Sequence, residues 1–92
     1  MTKAEIVSQI SEQTGLAKKD VALTIEAFMK VVKDSVAKHK EDVSLRGFGT
    51  FIVKHRAAKT GRDMQKNITI RVEAHDIPGF KPSKEFTALM ND

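Results

Sequence analysis

The 92-residue chain predicts one α+β domain, and three observations carry that expectation. Apolar residues recur at helical spacing through residues 1–40. Branched and aromatic residues punctuated by glycine fill residues 41–80, and a short apolar repeat runs through residues 81–92. We therefore expect a helical part, then a three-stranded antiparallel sheet carrying an extended β-ribbon arm over residues 54–71, then a short C-terminal helix.

Thr2 followed by Glu5 is a capping-box pattern, and Ile6, Val7, Ile10 and Thr14 share a helix side that Gly15 can end. This predicts helix one from Lys3 to about Thr14. A second helix is expected from about Lys18 to Lys38, with Val21, Ile25, Phe28, Met29, Val32 and Val36 as a broad stripe. Leu23, Ala27 and Val31 form a second apolar row some way round the same helix. Either a well-buried monomer helix or a subunit interface would explain it; we favour the interface, because so short a body has little else to cover it. Val43 to Leu45, Phe48 to Arg56 and Thr69 to Glu73 have strand composition, with Gly47 and Gly49 where the backbone must turn tightly or pass close to another chain. The second of these strands grades from Phe51 and Val53 to Lys54, Arg56 and Lys59, as a ribbon leaving its core would. A tip from Gly61 to Asn67 supplies turn formers. Pro82, placed at a first helical position, and Phe86, Leu89 and Met90 predict the last helix, to about Met90.

The charge is localised. The net of +4 gathers in Lys54, Arg56, Lys59, Arg62, Lys66 and Arg71, which face the single acid Asp63 within that stretch. A basic run with no apolar stripe of its own reads as a polyanion contact, against the plainer alternative of a solvated loop. There are no cysteines, so disulfide and thiolate chemistry are excluded, in keeping with a reducing compartment. No long apolar segment opens the chain or could span a membrane, and the expected location is cytoplasmic. His39, His55 and His75 lack ligand-like spacing, and no Gly-rich phosphate loop, nucleophile elbow or paired carboxylate site is present. We expect no metal, no cofactor, no small-molecule substrate and no catalysis.

Gly47-Phe48-Gly49-Thr50-Phe51, His55-Arg56-Ala57, Thr60-Gly61-Arg62 and Ile77-Pro78-Gly79-Phe80-Lys81-Pro82, behind two helices, resemble the bacterial histone-like DNA-binding proteins, HU and integration host factor, and are closer to HU. The likeness is ordered and covers the whole chain. It implies an intertwined dimer, whether homodimer or heterodimer with a paralogue, in which two β-ribbon arms embrace double-stranded DNA through the minor groove. It also implies a non-enzymatic, nucleoid-associated role in bending and condensing DNA. The family's arm tip carries an intercalating proline that this chain lacks. Met64 is the apolar residue there and the candidate wedge, the alternative being an ordinary loop residue. Asn67 suits a left-handed turn position, and Asp63 brings a negative charge close to where phosphates would lie.

Among the remaining candidates, Lys81, Ser83 and Lys84 surround the start of the last helix and match family positions that touch the DNA backbone. Lys3 is a weaker candidate. Phe48, Phe51 and Phe80 are expected as buried core residues and not as base-stacking platforms. The DNA-contact set is thus Lys3, Lys54, Arg56, Lys59, Arg62, Met64, Lys66, Arg71, Lys81, Ser83 and Lys84. Alternatives are a sequence-preferring bender like integration host factor, RNA binding by the same ribbon, and a protein-interaction module whose basic hairpin docks an acidic partner.

Overall fold

The computed structural model describes residues 1–63 and 65–91, excluding the side chain of Asp63; the expected wedge, Met64, lies outside the described residues. The chain forms two compact units, Met1–Asp34 and the chain from Ser35 onward. In the first, α1 (Lys3–Thr14) and α2 (Lys18–Lys33) pack together. Thr2 Oγ1 accepts the Glu5 N–H at 3.3 Å, and Gly15 ends α1 in the left-handed region at φ 77°. Both ends of α1 therefore follow the local signals. Val7 and Val21 are buried, while Leu23 remains 70% and Val31 65% exposed.

The long second helix is corrected in its last turn. Residues Asp34–Lys38 wind as a π-helical turn instead of continuing α2. Ser35 is the anchor: its carbonyl accepts the Glu41 N–H at 3.0 Å, and its hydroxyl donates to the Glu41 carbonyl at 3.2 Å. These bonds tie the turn to the chain that leads into the sheet.

The second unit contains β1 (Val43–Leu45), β2 (Gly49–Arg56), β3 (Lys59–Asp63), β4 (Ile68–Val72), β5 (His75–Pro82) and α3 (Lys84–Met90). One sheet has the order β1-β2-β5, all antiparallel, and β3 pairs with β4 as a separate ribbon. The partner of β2 is thus β5, a strand absent from the sequence expectation, and the expected strand at Thr69 is shifted to Ile68–Val72 within the arm. Pro78 and Gly79 are poor strand formers, yet β5 lies at the edge of the β1-β2-β5 sheet, where proline is tolerated. Pro82 likewise ends β5 and is not a helical residue; Ser83 caps α3, accepting the Phe86 N–H at 3.1 Å.

Glycine at 49 is required by packing, since a Cβ there would sit 2.5 Å from Phe80 Cζ and 2.6 Å from the Lys81 carbonyl. Around it Phe48, Phe51, Phe80 and Phe86 form a cluster with ring centroids 5.1 to 6.3 Å apart. The expectation of full burial is corrected. Phe48 is 44% and Phe80 37% exposed, and Phe51 is half-buried, because the rings cover one another only in part.

Candidate nucleic-acid interface

The β2–β5 ladder runs from Gly49↔Pro82 to Arg56↔His75, and basic side chains gather at both ends of it. Beyond Arg56 and His75 the ladder lapses over Ala57 and Ala58 on one side and Glu73 and Ala74 on the other. It resumes in the same register at Lys59↔Val72 and continues as Thr60↔Arg71, Gly61↔Ile70 and Arg62↔Thr69. Directly opposed residues of an antiparallel pair share a face, and successive residues alternate. The ribbon therefore has a polar-cationic face of Thr60, Arg62, Thr69 and Arg71, and a second face of Gly61, Ile68, Ile70 and Val72 with Lys59 at its base. The turn after the described part of β3 contains Lys66, and Asn67 takes φ 53°, the left-handed position its sequence context suggested.

Several arm cations already have acceptors. Arg62 donates through Nη2 to the Asn67 side-chain oxygen, and Arg71 Nε donates to Glu73 Oε1 at 2.8 Å. These pairs lie in solvent and are weakly held, so a phosphate can replace the acceptor at little cost. On β2, the Lys54 stem lies across Gly79, where an added Cβ would come within 2.6 Å of Lys54 Cε. Glycine at 79 thus leaves the aliphatic stem a bed while the ammonium reaches solvent. Next to it His55 Nδ1 meets Asp76 Oδ1 at 2.6 Å, and Lys40 Nζ meets Asp76 Oδ2 at 3.1 Å. Hydrogen bonds from His55 and then from Lys40 hold the Asp76 carboxyl below its ordinary value.

At the opposite end of the ladder a groove of about 360 Å³ is lined by Arg46, Gly47, Thr50, Lys81, Ser83 and Lys84 among others. Among the described residues no acidic side chain lines it. The structure so brings together the three candidates Lys81, Ser83 and Lys84, and adds Arg46, which is not in the expected contact set. The available signal was its place just before Gly47, whose φ of 82° turns the chain back toward β2. The Ser83 hydroxyl is occupied as the α3 cap, so its part in the groove is to hold Lys84 in place at the helix start. Lys3 belongs to the helical unit and is paired with Glu26, whose carboxyl is held low first by the Lys3 hydrogen bond and then by its charge. A phosphate reaching Lys3 must displace that carboxylate.

Among the described residues, no helix is long and apolar enough to cross a membrane and no three His, Asp or Glu side chains are grouped to hold a metal ion.

Residues 1–91 match the family model described as bacterial DNA-binding protein. The chain is 40% identical over 93 residues to integration host factor subunit beta of Marinobacter nauticus, covering 100% of this chain and 94% of that protein. To the DNA-binding protein HU of Clostridium pasteurianum it is 38% identical over 91 residues, covering 99% of each. The fold superposes on Anabaena HU from an HU–DNA cocrystal structure with a TM-score of 0.92 at 28% identity, covering 98% of this chain and 97% of that one. A match that spans both the helical unit and the sheet with its arm, together with relatives near 40% identity over the full length, means that this chain belongs to the bacterial DNA-binding protein family of HU and integration host factor.

Proposed function

We propose that this protein is a non-enzymatic architectural protein that binds and bends duplex DNA with little sequence preference, working in the cytoplasm on the nucleoid as a pair of chains. The observation that carries this reading is the placement of basic groups at both ends of one β2–β5 ladder. Seven residue steps separate Gly49 from Arg56, which is about 23 Å at strand rise. A small anion cannot engage the Arg46, Lys81 and Lys84 groove and the Lys54, Arg56, Lys59, Arg62, Lys66 and Arg71 arm together. A long polyanion can, and such contacts to phosphates position a protein without reading bases. Dimerisation is supported by the uncovered apolar row Leu23, Ala27 and Val31, together with Phe28 at 44% exposure. Such a row needs a cover, and a second copy supplies one.

The test is a titration of unrelated duplexes over a salt series. Lys59→Ala, Arg62→Ala and Lys81→Ala should each weaken all duplexes alike and lower the log–log salt slope by about 1. Bending is read separately by end-to-end energy transfer on a labelled duplex. Met64→Ala should reduce the bend while costing less affinity than Arg62→Ala. If the wild type ignores duplex DNA at physiological salt but retains an acidic protein, the hairpin is a protein-docking element instead. A strong preference for one duplex among many would place the chain with the sequence-preferring benders.

A further inference from the structure

Lys40, His55 and Asp76 meet where the arm leaves the sheet. The rung His55↔Asp76 is the last but one of the β2–β5 ladder, and after Arg56↔His75 the pairing lapses before the ribbon begins. His55 Nδ1 lies 2.6 Å from Asp76 Oδ1 and Lys40 Nζ lies 3.1 Å from Asp76 Oδ2, so both oxygens of the carboxylate are engaged. An ionised carboxylate only accepts, hence Nδ1 of His55 carries the proton and donates.

The backbone pairing explains why side chains are needed at this rung. Val53 N–H donates to Asp42 Oδ1 at 3.1 Å, and Asp42 leads into β1, on the side of β2 away from β5. Successive N–H groups of a strand point to alternate sides, so the His55 N–H also faces away from β5. His55↔Asp76 is therefore a rung without backbone bonds, the kind at which opposed side chains come closest. Lys40 belongs to the same lead-in segment as Asp42, and its side chain crosses β2 to reach Asp76. Lys40 takes φ 54°, a left-handed conformation that opposes a side chain with a Cβ. Such a conformation persists where its surroundings hold it, and the two bonds between Ser35 and Glu41 bracket it here.

We propose that Lys40, His55 and Asp76 form a clip across the root of the arm that fixes the direction in which the ribbon departs, and so act as positioning residues for DNA binding. The clip rests on the duplex-DNA reading above and adds residues whose part is to order the arm and not to meet phosphates. The cations next to it, Lys54 and Arg56, lie on the opposite face of β2 from His55. With the clip closed, the ladder is held up to its final rung, and less conformational freedom is lost when the arm settles on DNA. With the clip open, Arg56↔His75 is an end rung with no side-chain tie behind it.

Asp76→Asn separates positioning from charge. Removing a negative charge beside a cationic arm should by electrostatics alone tighten DNA binding. Opening the clip should instead weaken it about threefold, the scale of a solvent-facing ion-pair network. The log–log salt slope should stay unchanged, since no cation is removed. NMR relaxation of the backbone amides in the free protein should show larger motion at Thr60 and Arg71, with Ser44 and Thr50 in the sheet unchanged. A general loss of stability would move both sets together. Lys40→Gln should also weaken binding, Lys40→Arg should restore most of it, and Lys40→Gln combined with Asp76→Asn should lose no more than the larger single loss. Asp76→Asn binding as tightly as the wild type, or more tightly, overturns the clip and leaves the DNA reading intact. Additive losses in the double variant overturn it as well, because Lys40 is then a phosphate contact in its own right. So do arm amides whose motion does not change, and so does an Asp76→Asn chain that no longer folds, which makes the cluster part of the fold and not a brace of the arm. A wild type that binds no duplex overturns both readings.

Discussion

At the residue scale, two exposed carboxylates connect the fold to pH. Glu26 and Asp76 are both held below their ordinary values of 4.5 and 3.8, the first by Lys3 and the second by His55 and Lys40. A carboxyl whose folded value is depressed contributes stability above its unfolded value and loses that contribution as pH falls through the folded one. Both pairs therefore support the fold at neutral pH and weaken progressively in acid, beginning below about 4.5 for Glu26 and below about 3.8 for Asp76. We expect Glu26→Gln and Asp76→Asn to flatten the acid limb of a stability-against-pH curve measured by thermal unfolding. Curves that run parallel to the wild type would show that neither pair carries proton linkage. The effect should be small and should shrink in high salt, because these groups are in contact with solvent.

At the element scale, α3 shows how one residue can serve a helix and a binding surface together. Ser83 follows β5 directly, and its hydroxyl accepts the Phe86 N–H; Phe86 in turn packs on Phe48. We expect Ser83→Ala to cost about 1 kcal/mol of stability in urea unfolding, the usual worth of such a cap. Ser83→Asp should keep the cap, since an aspartate oxygen accepts the same N–H, but should weaken DNA binding by adding a negative charge beside Lys81 and Lys84. Equal DNA affinities for the aspartate variant and the wild type would remove the α3 start from the interface. The arm shows the same economy: cross-strand pairing that builds the ribbon also sorts Arg62 and Arg71 to one face and Ile68, Ile70 and Val72 to the other.

At the scale of the whole molecule, the single chain leaves much apolar surface uncovered. Val7, Val21 and Val36 are buried, whereas Leu23, Phe28, Val31, Phe48 and Phe80 stay exposed. An aspartate at an exposed surface site is ordinarily tolerated within about 0.5 kcal/mol. Val31 is 65% exposed in one chain, so Val31→Asp should be harmless to a monomer. We expect it instead to unfold the protein, since folding and association of the proposed pair are one process. Light scattering at micromolar concentration should give the mass of two chains for the wild type, and a one-chain mass with a stably folded Val31→Asp variant would exclude the pair.

The sequence by itself determined what depends on near neighbours along the chain. Thr2, Glu5 and Gly15 bound α1, the 3.6-residue spacing through Val21 and Val32 made α2, and Asn67 accepted the left-handed turn, because caps, periodicity and turn preference act over a few residues. The localised charge from Lys54 to Arg71 and the ordered family motifs were legible for the same reason. What only the tertiary structure decided depends on residues far apart. Pro78 and Gly79 became an edge strand because β2 stood free to pair with them, Arg46 joined Lys81 and Lys84 because β1, β2 and β5 are adjacent, and Ser35 turned the end of the second helix by bonding Glu41. The partial exposure of Phe48 is likewise invisible in composition, since it reports how the rings of Phe48, Phe80 and Phe86 meet and not what lies next in the chain.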